Sequence, residues 1–128
     1  MKKQIFPQEV MNQYIETGII SEKATLEGDY KTNNKEGKKL IKLFKEFEKD
    51  AELAILSLPN LFSHQNVVTR TDAAAHCLAL NIYVDEALKT LASIAADEKN
   101  GIFGFNAKMT LKVYHEQGFL KVYPDQKV

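Results

Sequence analysis

A chain of 128 residues, 45% apolar and 27% charged, is sized for one domain with a real core, which excludes global disorder. Seventeen Lys and Arg offset seventeen Asp and Glu, which argues against a nucleic-acid binder working by bulk positive charge. The one cysteine, Cys77, excludes an internal disulfide and a cysteine-rich zinc framework, and no apolar run approaches the roughly 18 residues that span a bilayer.

The opening MKKQIFPQEV has two lysines with no apolar core behind them, so it does not read as a secretion signal. A cytoplasmic protein is expected, with residues 1–128 as a single domain and residues 1–25 as its helical N-terminal extension. The first helix is expected from Pro7 to about Glu27. Proline suits a first helical position because its missing N–H would be an orphan donor there. Val10, Tyr14, Ile15, Ile19, Ile20, Ala24 and Leu26 make its apolar stripe, with Gly18 a place to kink or split. Gly28 fits the stop, and GDYKTNNK (28–35) reads as a turn, rich in Asp, Asn and Gly.

The longest helix is expected over Asn34 to Leu58. Leu40, Phe44, Phe47, Ala51, Ala54 and Leu58 alternate steps of four and three, the spacing of a buried face. Lysines and glutamates fill the opposite face, and because the signs interleave this is a solvated surface rather than an anion-binding row. Pro59 and Asn60 end it. Asn66 then caps a helix through Leu80, NVVTRTDAAAHCLAL, in which Val67, Thr71, Ala74 and Leu78 form a stripe. Ala73, Ala74 and Ala75 allow a second helix to approach closely. This helix is the expected packing spine of the chain.

Residues 81–85 form a corner, and Val84 to Ala95 a further amphipathic helix with Asp85 and Glu86 in its first turn, where the helix dipole favours acids. Asn106 is the expected cap of a last helix carrying Ala107, Leu111 and Tyr114. Phe103 and Phe105 plug the seam before it. Gly118 stops it, and Phe119, Leu120 and Tyr123 pack a short tail over it. No stretch alternates long enough to demand a sheet. The expected fold is all-α, with five or six helices.

Three stretches together resemble a small all-helical bacterial family, HEAT- or armadillo-like and of unknown function. They are LEGDYKTNNK (Leu26 to Lys35), HQNVVTRTDAAAHCLAL (His64 to Leu80) and GIFGFNAKMTLKVYHEQGFLKVYP (Gly101 to Pro124). The resemblance runs from about residue 26 to the end. It implies a HEAT/armadillo-like stack of helix pairs and no catalytic residues to carry over. Members of such families resemble the immunity partners of secreted antibacterial toxins.

Residue chemistry on its own is sparse. Asp72 and His76, at i and i+4, share a helix face that can hold a metal, but a third ligand would have to come from His64 or His115. Arg70 and Asp72 are expected to tie neighbouring elements by hydrogen bonds, with His76 partly exposed. Cys77 is a small buried hydrophobe rather than a nucleophile, since its neighbour His76 lies on the wrong side to serve as its base. The two glycines of GIFGF lack the third glycine and the Lys-Ser/Thr of a phosphate loop. No catalytic, cofactor or metal site is expected, and no cofactor.

Charge is uneven along the chain. Residues 51–98 carry two basic and six acidic side chains, whereas residues 99–128 carry five basic and two acidic. An acidic face on stacked helices would steer a basic partner. The expected function is a non-enzymatic binding protein, an immunity protein that occludes a cognate toxin such as a basic nuclease domain, touching neither nucleic acid directly nor membrane. Its expected contacts are Asp29, Tyr30, Asn33 and Asn34 in a loop, with Asp72, His76, Asp85 and Glu86. A scaffold or adaptor is the alternative, and a nucleic-acid-processing enzyme is a more remote one.

Overall fold

In a computed structural model, which describes residues 4–127, the chain forms six α-helices and no strand among the described residues. They are α1 (Pro7–Glu27), α2 (Tyr30–Lys49), α3 (Ala51–Ser57), α4 (Val67–Leu80), α5 (Val84–Ala96) and α6 (Ile102–Gln117). Short 3-10 turns cover Leu58–Leu61 and Glu98–Asn100. The expected all-α class is what folds. No described helix is long and apolar enough to cross a membrane, and the reading of Lys2 and Lys3 lies outside the described residues.

Helix α1 has the expected bounds. Pro7 opens it, and Gly28 closes it in the left-handed region at φ 71°, where the Gly28 and Asp29 N–H groups cap the carbonyls of Thr25 and Ala24. Gly18 neither kinks nor splits the helix. It is a contact: a Cβ there would lie 2.1 Å from Thr69 Oγ1, so only glycine lets α4 cross α1 at this depth. The same crossing corrects the expected stripe. Thr17 and Gly18 are buried while Ile19 and Leu26 are exposed, because the α4 crossing meets the face of α1 that carries Tyr14, Thr17 and Gly18.

The expected turn over 28–35 shrinks to Gly28 and Asp29. The Asp29 carboxylate accepts the Thr32 N–H at 3.1 Å and the Thr32 hydroxyl at 2.6 Å, which starts α2 at Tyr30. Tyr30, Asn33 and Asn34 therefore lie in the first two turns of a helix and not in a loop. The expected single helix to Leu58 breaks at Asp50, whose backbone leaves the helical region (φ −144°, ψ 86°) and whose carboxylate caps α3 through the Leu53 N–H. Leu40, Phe44, Phe47, Ala54 and Leu58 are buried, but Ala51 is exposed because the break restarts the helical phase.

Helix α4 packs on α1, α5, α6 and the 3-10 turn before it, which makes it the spine. Asn66 caps it, accepting the Thr69 N–H at 2.9 Å. Asn81 ends it at φ 59°, with the Asn81 and Ile82 N–H groups on the carbonyls of Leu78 and Cys77. Ala73 and Ala74 are fully buried at its centre. Helix α6 begins at Ile102, a turn before the expected cap at Asn106, so GIFGF is helical. Phe103 is buried in the seam, whereas Phe105 is 56% exposed and does not fill it. The α6 backbone presses on the end of α5 at Gly104, where a Cβ would lie 3.1 Å from the Ile94 carbonyl.

The tail also departs from expectation. It reaches back to α2, where the Tyr123 hydroxyl donates to Glu48 Oε1 at 2.6 Å and its ring lies edge-on to Phe44 and beneath Lys45 Nζ. The core under it is aromatic. Tyr14, Phe44, Phe47 and His76 meet with ring centroids 5.4 to 6.4 Å apart, mostly edge-to-face.

Candidate functional site

Helices α2 and α6 barely touch. The gap between them, backed by α1 and α4, is a cleft of about 320 Å³. Each wall is made by residues one turn apart on one helix face, the spacing that aligns side chains. Helix α1 supplies Ser21 and Thr25, α2 Asn33 and Gly37, α4 Val68 and Asp72, and α6 Asn106 and Thr110. Phe103, Leu40 and Ala75 add apolar surface. Tyr30 stands one turn before Asn33 on α2 and is 68% exposed. On the α6 side, Ile102, Phe105 and Met109 form an exposed apolar stripe.

Asp72 is the charged group of the cleft. It is half-buried and has no hydrogen-bond or ion-pair partner among the described residues, and burial pushes its carboxyl up to about 7. The expectation that Asp72 ties neighbouring elements by hydrogen bonds is thereby corrected. Arg70 does so instead, donating from Nη1 to the carbonyls of His64 and Gln65 and pinning the loop before α4. The chain's other buried acid, Glu36, has an ion pair with Lys39 at 2.9 Å, although its Oε1 remains unpartnered.

His76 is not on the surface. It is buried behind the cleft, its Nδ1 2.5 Å from the Tyr14 hydroxyl, and burial lowers its pKa to about 4. The phenol has no other acceptor among the described residues and its pKa is raised, first by burial and then by the charge of Asp72. A protonated Tyr14 donating to a neutral ring satisfies both groups and leaves the imidazole proton on Nε2. The ring therefore serves packing and hydrogen bonding in the core, and its small exposed edge meets a second hollow shared with Met109, Val113 and Leu120 rather than the Asp72 cleft. The Asp72–His76 pair recruits no third ligand, since no three His, Cys, Asp or Glu side chains cluster among the described residues. Cys77 is fully buried and its thiol is pushed up to about 12 by that burial, the opposite of an activated nucleophile.

The expected contact residues thus fall into separate places. Asn33, half-buried, and Asp72 line one cleft, while Asp29 faces a separate hollow with Ile19, Ile20 and Lys23 of α1, and Tyr30 and Asn34 are exposed in the first turns of α2. His76 is core. Asp85 and Glu86 are exposed at the start of α5, roughly 14 Å along that helix from where α6 packs on Ile94. They follow Tyr83, an exposed residue held in the left-handed region at φ 47°, a conformation costing about 1–2 kcal/mol for a residue with a Cβ. Sequence reasoning misses Ser21, Thr25, Gly37, Asn106 and Thr110. Their common signal is a small or polar pair at i, i+4 on each wall, visible along the chain only once the four walls are known to face one another.

Fold and cleft together define a small all-α protein with a polar, acid-bearing groove between helices. No family model matches the chain, and no curated protein or solved structure matches it significantly.

Proposed function

We propose that the chain is a non-catalytic binding protein whose partner seats on the mouth of the α2–α6 cleft. The observation that carries this reading is that the two helices flanking the groove, α2 and α6, carry Tyr30, Ile102, Phe105 and Met109 as solvent-exposed aromatic and apolar side chains. Rigid aromatic anchors around a concave centre are the usual composition of protein-binding hot spots. The immunity-protein reading, in which a HEAT-like helical surface occludes a cognate antibacterial toxin, gives such a mouth its partner. A catalytic cleft is less well supported, because the Thr71 and Thr110 hydroxyls donate to the carbonyls of Val67 and Asn106 rather than to a base.

The test is co-purification with the product of the neighbouring gene, followed by binding kinetics. Tyr30→Ala and Phe105→Ala are each expected to speed dissociation tenfold or more, and the association rate is expected to fall as salt rises. A paired Asp85→Asn, Glu86→Gln variant is expected to leave dissociation unchanged. If that variant releases the partner while Tyr30→Ala and Phe105→Ala do not, the interface is the Tyr83 corner and not the cleft.

A further inference from the structure

We propose that the Asp72 cleft is a receptor for a single organic cation, an alkylammonium or guanidinium group carried on an apolar stem. The inference deepens the binding reading above and rests on the cleft mouth being the binding face. It follows from which hydrogen-bonding capacity the walls have left to offer. Thr71 and Thr110 spend their hydroxyl protons on backbone carbonyls at 2.8 and 2.9 Å, so they present lone pairs. Asn33 gives an N–H to the Thr25 hydroxyl at 3.1 Å, which leaves its carbonyl oxygen free to accept.

Asp72 contributes a carboxylate with no partner of its own among the described residues, and no Lys, Arg or His lines the cleft. Ser21, Asn33 and Asn106 keep neutral donors and acceptors, but the one charge of the lining is the Asp72 carboxyl with no cation beside it, which disfavours an anion and matches a positively charged donor. Ammonium and guanidinium are the two such groups of ordinary biochemistry. Leu40, Val68 and Phe103 supply the apolar surface against which a methylene stem lies. The volume is at the small end for a ligand site, which suits one side-chain-sized group and not a nucleotide or larger cofactor. A Lys or Arg side chain of a partner and a free diamine share this chemistry.

Amide NMR titration of the full chain separates the sources and tests the site. The probes are N-acetyl-arginine methylamide, N-acetyl-lysine methylamide, putrescine, and N-acetyl-citrulline methylamide as the neutral isostere of arginine. At least one cationic probe is expected to give saturable shifts at Asn33, Asp72 and Asn106, with citrulline at least tenfold weaker. Asp72→Asn is expected to lose at least tenfold in affinity for that probe. Tighter binding of a blocked amino acid than of putrescine assigns the site to a partner's side chain, and the reverse order assigns it to a free amine. Citrulline binding as well as arginine, unchanged affinity in Asp72→Asn, or no saturable shift with any cation would overturn the proposal. Thr110→Val, at the half-buried edge of the cleft, serves where Asp72→Asn fails to fold, with several-fold weaker binding expected and unchanged affinity counting against the site. If no cation binds while Tyr30→Ala and Phe105→Ala still release the partner, the cation falls and the binding face stands.

Discussion

Single residues decide how close the helices of this chain can come. Gly18 is the sharpest case, since its α-carbon faces Thr69, which is itself fully buried and donates its hydroxyl toward the Tyr14 carbonyl and the Asn66 side chain. Gly18→Ala would gain helix propensity, worth about 1 kcal/mol. It would also drive a methyl group into Thr69 and Asn66, an overpacking typically costing 1–3 kcal/mol or more. Net destabilisation is expected, read as a lower urea midpoint. A Gly18→Ala, Thr69→Ser pair would not relieve it, because the hydroxyl oxygen that clashes remains; Thr69→Ala would relieve it only in part, since the Asn66 Oδ1 and the Thr69 backbone N would still lie 2.9 and 3.0 Å from the added methyl. From the sequence Gly18 reads as a helix weakener, since the residue that occupies its missing volume lies 51 positions away.

At the scale of one helix, α4 carries a half-buried acid and a buried histidine with opposite demands. Asp72 has a folded value of about 7, above its ordinary 3.8, so the folded state holds a proton that the unfolded chain releases. Its contribution is present below about pH 4 and is lost as pH rises through 7. His76 has a folded value of about 4, below its ordinary 6.5, so the folded ring stays neutral where the unfolded one charges. Its contribution is present above 6.5 and is lost as pH falls through 4, by roughly 3 kcal/mol. Between pH 4 and 6.5 the two slopes oppose each other, and a nearly flat stability profile is expected for these two groups. Asp72→Asn unmasks the histidine slope, giving a protein that gains stability as pH rises. His76→Gln unmasks the aspartate slope and gives the reverse. Urea melts at pH 4.5, 5.5 and 6.5 check both, and parallel profiles in the two variants would contradict the assignment. The i, i+4 spacing of these residues was legible in the sequence. Their burial was not, because it comes from α1 on one side and α2 on the other.

Across the whole molecule the tail acts as a clasp. Leu120 and Gln126 are buried, and Tyr123 ties the end of the chain to Phe44 and Glu48 of α2, 75 positions back in the case of Glu48. Ending the chain at Gly118 would uncover the Phe44–His76 edge of the aromatic core. A loss of about 2 kcal/mol is expected from the apolar area exposed. It would show as a lower Tm with the helical circular-dichroism signal retained below the transition. No change in Tm would mean that the tail contributes no net stability.

What the amino-acid order determined by itself was local: the all-α character, the Pro7 start and Gly28 stop of α1, the Asn66 cap, and the buried alanines of α4. Each depends on hydrogen bonds and side-chain periods within a few residues, so neighbours in sequence suffice to decide it. The tertiary structure decided the rest. It turned Gly18 from a breaker into a crossing point, carried the tail beyond α6 so that Tyr123 reaches α2, sank His76 into the core, and separated Asp85 and Glu86 from the other expected contacts. It also made a cleft out of four i, i+4 pairs, of small or polar residues and Val68, that lie on four different helices. Those outcomes depend on which distant faces meet, and the period of a single helix shows which face is apolar without showing what it will touch.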